Sequence, residues 1–216
     1  MAALKEGLGP SADKFIVAAA SYEVSDPTVD SQIVSLQASG ADVLMEFATA
    51  KASAQAIRKT YDIGWRPLQI AATPGSTIAA SLRPAGLEKF MGVISAIGKD
   101  PSNPQWADDR DVKKYRDFMR KYDADGDPDN ILNFLGYSVG FHIAEMLRLC
   151  GDDLTREHLV DVATHIESMH TPIMLPGTTL NVSPTDYDGF RQFQLFRFDG
   201  NRYVPFGSLI DGGITN

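Results

Sequence analysis

Apolar residues recur along this chain with two periods, and the change from one to the other marks out its elements. Val29, Ile33 and Leu36 stand at i, i+4 and i+7, one stripe of a helix that Asp26 and Pro27 start and Gly40 ends. Ala41–Ala48 (ADVLMEFA) follows at once. It is apolar over the length of a strand and predicts one covered on both faces, broken by Glu46 near its carboxyl end. Ala50, Ala54, Ile57 and Tyr61 then repeat the helical spacing as far as Gly64. Apolar runs at Lys14–Ala20, Leu68–Ala72 and Met91–Ile97 predict three more strands, Ala2–Gly7 the last turns of a helix, and Ser76–Leu82 a short helix after a Thr73-Pro74-Gly75 loop. Strands alternating with helices imply an α/β fold with a parallel sheet and right-handed crossovers.

The pattern changes after Lys99. KDPSNPQWADDRD reads as a polar, proline-bearing connection, and helices follow it. Tyr115, Phe118, Met119 and Tyr122 form one apolar face, and Leu135, Val139, Ile143, Met146, Leu147 and Cys150 another that ends at Gly151. Thr155 caps a third helix with Leu159, Val162, Ala163 and Ile166 on its buried side. Near the end, Phe193–Phe198 and Tyr203–Phe206 flank Asp199-Gly200-Asn201, a hairpin signal.

Open α/β sheets bind ligands beyond the carboxyl ends of their strands, so Glu46–Ala50 and Thr73–Gly75 are the places to expect a site. Glu46, an acid in an apolar strand, suits a general base or an ammonium acceptor. Its other reading is a side chain that reaches solvent at the strand end, since glutamate is seldom fully buried. Thr49 and Thr73 suit hydrogen bonding to a ligand or capping of the next helix.

Charge and composition narrow the classes. The chain has 216 residues and a net charge of −8, which argues against nucleic acid or an anionic membrane as partner. Cys150 is the one cysteine, so no internal disulfide or cysteine metal cluster is expected. The four histidines are dispersed, and His158 and His165, seven apart, are spaced poorly for a metal pair. Asp123–Asp129 (DADGDPD) lacks the glycine position and the twelfth-residue acid of a calcium loop, so no metal or other cofactor is expected. No G-x-G-x-x-G, Walker loop or G-x-S-x-G elbow occurs. A hydrolase or lyase with Glu46 as base lacks a second catalytic group at a recognisable spacing, and the chain is read as a binding protein and not an enzyme.

Taken in order, SYEVSDPTVDSQIVSLQASGADVLMEFATAKASAQAIRKTYDIGW, RPAGLEKFMGVISA, KDPSNPQW, CGDDLTREHL, LPGTTLNVSPTDY and FQLFRFDGNRYVPFG resemble the periplasmic solute-binding proteins of branched-chain amino-acid ABC transporters. The resemblance covers nearly the whole chain. It implies a type I periplasmic binding protein, with two α/β lobes that close on a small solute and a membrane permease as partner. Residues 1–92 resemble the carboxyl-terminal lobe, 93–180 a crossover and helices of an incomplete amino-terminal lobe, and 181–216 a crossover and hairpin returning to the carboxyl-terminal lobe. The family's export signal and most of its first lobe have no counterpart in these residues. A periplasmic location is therefore expected by resemblance alone, and self-association is expected where that lobe would have covered apolar helix faces. The resemblance further places Thr49 and Ala50, just after Glu46 and Phe47, in one ligand loop and Thr73, with Pro74 and Gly75, in another, where the family carries an acid for the ammonium group of an amino acid. Thr, Pro and Gly lack that charge. A small organic acid, aromatic by preference, is the expected solute, and a branched-chain or other amino acid is the alternative.

Overall fold

The computed structural model describes residues 1–212 and begins with two short helices, α1 (Ala2–Leu8) and α2 (Ala12–Phe15). Next come α3 (Asp30–Ala38), β1 (Val43–Glu46), α4 (Ala50–Asp62) and β2 (Leu68–Ala71). A 3-10 turn at Thr73–Gly75 and a π-helical stretch at Ile78–Leu82 lead into α5 (Arg83–Ala85) and β3 (Ile94–Ala96). Then follow α6 (Arg110–Tyr122), α7 (Ile131–Cys150), α8 (Arg156–Ala163), β4 (Ile166–Met169), β5 (Leu180–Val182), β6 (Gln192–Phe198) and β7 (Tyr203–Asp211).

Five strands make one sheet in the order β1-β2-β3-β6-β7. β1, β2 and β3 are parallel, and the β6–β7 hairpin joins antiparallel to β3, with Ser95 opposite Phe196. β4 and β5 form a separate antiparallel pair that the sequence pattern did not announce. The main core lies between the sheet and the helical layer. Ile57 of α4, Ile78, Leu82, Phe90, Phe196, Phe198 and Tyr203 are nearly or fully buried there. Burial of each large side chain contributes ~1.5–3 kcal/mol. A second cluster joins Val29 and Ile33 to Leu44, Ala52 and Ala56, so α3 packs on α4 and on the inward side chain of β1.

Several expectations change. Lys14–Ala20 does not form a strand: Phe15 ends α2, Val17 is exposed, and Ala18–Ala20 have too little side chain to gain much by burial. β1 is therefore an edge strand. It buries alternate residues, Leu44 and Glu46, and leaves Val43 and Met45 exposed, rather than being covered on both faces. The α3 helix starts at Asp30 and not at Asp26, because the Asp26 carboxylate accepts the Glu23 N–H at 2.9 Å and closes a turn before it. At its other end Gly40, at φ 77°, supplies the left-handed residue required.

The connection after Lys99 is buried, with Lys99, Asp100, Ser102 and Asn103 all inside. In α7 the packed stripe is Ile131, Phe134 and Ser138, whose Phe134 ring stands 4.8 Å from that of Tyr115 on α6. Of the stripe expected inside, Cys150 is buried and Met146 packs against the Ile166 cluster, whereas Leu135, Val139, Ile143 and Leu147 are exposed. This helix carries two apolar stripes, and periodicity cannot say which one meets a neighbour. On α6, Tyr115 and Met119 are buried, whereas Phe118 and Tyr122 stay exposed. His165 lies past the end of α8, so it does not share a helix with His158, and Ile166 is buried as part of β4.

Candidate functional site

The parallel half of the sheet brings three loops to one edge, after β1, β2 and β3. Glu46, the last residue of β1, has the same orientation as Leu44 and so points inward, at 6% exposure. It does not reach solvent. Its Oε2 accepts a hydrogen bond from Ser53 Oγ of α4 at 2.9 Å, and its Oε1 has no partner. Burial pushes its pKa up to about 8, against the smaller opposing effect of the Ser53 bond. At neutral pH this side chain is a carboxylic acid. Its backbone carbonyl also accepts the Ala72 N–H at 2.9 Å, which joins the loop after β1 to the loop after β2.

Gly75 sits directly on this pair. A Cβ added there would fall onto Ser53 Oγ and within 2.6 Å of Ser53 Cβ. Only glycine lets the second loop approach so closely. The Thr73 hydroxyl, expected to face a ligand, donates instead to the Ala96 carbonyl at 3.0 Å and ties this loop to β3. Ser95 Oγ donates to the Ala71 carbonyl at 2.7 Å and lies 2.8 Å from Ser76 Oγ. Asp100 completes the bracing. Its carboxylate accepts the Ile78 N–H at 3.2 Å and the Ser102 N–H and hydroxyl at 2.9 and 2.7 Å. Burial raises its pKa against those bonds.

Of the residues expected at the site, Phe47 and Pro74 are exposed, and Thr49 is the residue before α4. The Thr49 side chain makes no capping bond, so the opening N–H groups of α4, beginning at Ala50, remain available at the sheet edge. Such a helix start favours an anion. Tyr22, which periodicity gave no reason to select, accepts the Thr49 N–H on its hydroxyl at 2.8 Å. It lines, with Glu46, Phe47 and Gln32, a cavity of about 100 Å³ beside β1. Ser53 and Asp100 were also missed, because nothing in their sequence neighbourhood shows that their hydroxyl and carboxylate face strand ends. Among the described residues no cluster of three metal-ligating groups occurs, and Glu46 has no titratable hydrogen-bond partner.

A family model described as periplasmic binding protein matches residues 3–202. Solved structures resemble the fold. One is a branched-chain amino-acid ABC transporter protein from Thermus thermophilus with bound valine, 13% identical at a TM-score of 0.69, covering 87% of this chain and 50% of its own. Another is a substrate-binding periplasmic protein from Ralstonia solanacearum, 21% identical at 0.69, covering 90% and 52%. A leucine-binding protein from Thermotoga maritima is 14% identical at 0.65, covering 88% and 50%. The chain thus spans about half the length of these structures. Among curated proteins none matches. No described helix is long and apolar enough to cross a membrane.

Proposed function

We propose, because the chain belongs to the periplasmic binding protein family, that it serves as the solute-binding component of an ABC importer and takes a small organic acid at the carboxyl edge of β1 and β2. A membrane permease is the partner and the periplasm the place that this reading implies. The observation that carries it is the convergence of the loops after β1 and β2 on the uncapped start of α4, in a chain matched by the family over residues 3–202. An anion fits there.

The chemistry of the edge favours an acid without an amine. Both carboxyl groups behind these loops are turned inward: Glu46 lies under Ser53 and Gly75, and Asp100 is held by Ile78 and Ser102. Neither offers an exposed charge to an ammonium group. An aromatic acid is the preferred solute, and exposed Phe47 is the ring available to it. A branched-chain amino acid is the second reading, favoured by the valine and leucine named for two structural relatives. Glu46 as an enzymatic base is disfavoured, since it is buried and its recorded hydrogen-bond partner is Ser53.

Thermal denaturation tests this order. Benzoate should raise Tm more than leucine at equal concentration, and saturation near 100 Kd would add ~2.7 kcal/mol. Leucine giving the larger shift would reverse the order. The affinity of this chain should be low, with Kd of order 1 mM, because the loops after β1 and β2 meet at an open edge with Phe47 and Pro74 exposed, where enclosing sites bury most of a ligand's surface. Micromolar binding by the 216-residue chain would contradict an open site.

Self-association belongs to the same reading. Leu135, Val139, Ile143 and Leu147 expose an apolar stripe on α7, and patches of this kind promote association. Sedimentation velocity should show a mean mass that rises with concentration, and Val139→Lys should suppress the rise. A constant 23.5 kDa would show that the stripe stays wet.

A further inference from the structure

Away from the strand edge, α6, α7 and the segment after β4 enclose a second cavity of about 210 Å³. Its walls are aromatic. Tyr137 is held in place by rings on α6, 5.5 Å from Tyr115 and 5.1 Å from Phe118, and Phe141 stands one turn further along α7. Pro172 adds a third apolar surface to the lining. Asp111 and His170 form its polar side, and Arg110 and Lys114, one turn apart on α6, complete the lining.

The charge at this cavity is unusual for so acidic a chain. Lys99, only 2% exposed, places its ammonium 3.1 Å from the carboxylates of both Asp109 and Asp111. Asp111 is further engaged by Arg110 Nε at 3.4 Å and His170 Nε2 at 3.4 Å. Burial works to raise the Asp111 pKa, and Lys99, His170 and Arg110 together outweigh it and keep the group below the usual carboxylate range. The acid in the wall is therefore already matched. Lys114 has no ion pair among the described residues, and the charges of Lys99, Arg110 and Lys114 exceed those of Asp109 and Asp111 by one. The chain as a whole is at −8.

We infer that this cavity is a second binding site, separate from the strand edge, for a small organic anion: a carboxylate met by Arg110 and Lys114, on a flat apolar body held between Tyr137 and Phe141. Its volume suits a single ring better than a drug-sized ligand, which needs ~300 Å³ or more. The aromatic faces supply contact area, and the basic pair supplies sign.

Amide NMR of the whole chain, titrated with benzoate and with benzamide as its uncharged counterpart, separates this site from the other by position. Benzoate at about 10 mM, well above a Kd near 1 mM, should shift amides at Arg110–Lys114, Tyr137–Phe141 and His170. Benzamide should bind there roughly five- to tenfold more weakly, the weight of one or two solvent-exposed charge contacts. The double substitution Arg110→Gln/Lys114→Gln, at exposed positions, should weaken benzoate by the same factor and leave benzamide unchanged, while Phe141→Ala should weaken both. Equal binding of benzoate and benzamide, an unaltered benzoate Kd in the double variant, or shifts confined to Ala48–Gly75 would each overturn the inference.

Discussion

Glu46→Gln should stabilise the protein above neutral pH and flatten its stability profile, although it alters a buried side chain that accepts a hydrogen bond from Ser53. Burial raises the Glu46 pKa to about 8 from 4.5, so the folded state holds this proton more tightly than the unfolded state does. Stability from the group is fully present below pH ~4.5, falls as pH rises, and is exhausted above ~8. The slope follows from the proton that the native state must release. Integrated over that window, the loss is roughly 3–5 kcal/mol, comparable with a large part of a domain's ~5–15 kcal/mol. Glutamine keeps the shape and can accept from Ser53 Oγ, and it has no charge to bury. Urea denaturation at pH 5, 7 and 9 is the measurement. The wild type should weaken steadily across this range and Glu46→Gln should not. Parallel profiles would mean that Glu46 is solvated or paired. Asp100, also raised by burial, adds to the slope in both proteins and cancels in their difference.

The second large effect concerns Lys99. Its ammonium is almost wholly buried between Asp109 and Asp111, and Asp109 also caps α6 by accepting the N–H groups of Asp111 and Val112 at 2.9 and 3.1 Å. Lys99→Met should cost ~3–5 kcal/mol, because it leaves two neighbouring carboxylates without their common cation. Removing all three charges should cost much less. In Lys99→Met/Asp109→Asn/Asp111→Asn, asparagine still caps the helix and no unpaired buried charge remains, since Arg110, which loses Asp111, is exposed, so most of the loss should be recovered. A single variant within ~1 kcal/mol of wild type would show that the carboxylates find water when the lysine is gone.

The α4 helix, with Ile57 at its core and Gly64 behind it, and the β6–β7 hairpin across Asp199–Asn201 were legible from period and turn chemistry. These are local signals. Lys14–Ala20 looked like a strand because apolar content measures the ability to be buried, whereas a strand also needs a partner edge, and among the described residues none pairs with it. Polar composition misled in the opposite sense at Lys99–Asn103. A charged loop can go inside when its partners come from elsewhere, here Asp109 and Asp111 for Lys99 and the Ile78 N–H for Asp100. The same limit applies to the site. Strand-end logic selected Glu46, Thr49 and Thr73–Gly75, and these loops do share an edge. It could not show that Glu46 turns under Ser53, that the Thr73 hydroxyl is spent on Ala96, or that Tyr22 reaches Thr49, since each depends on contacts across the fold.

The solute proposed for the carboxyl edge of β1 and β2 is an amine-free organic acid. Mapping amide shifts of the chain with benzoate and with leucine, each at about 10 mM for a Kd near 1 mM, tests this most directly. Benzoate should shift amides at Phe47–Ala52 and Ala72–Ser76, leucine should shift them less, and both sets should be lost when Gly75→Ala forces the second loop off Ser53. Leucine shifting these loops more strongly than benzoate, or benzoate leaving them unmoved while it binds elsewhere, would contradict that reading.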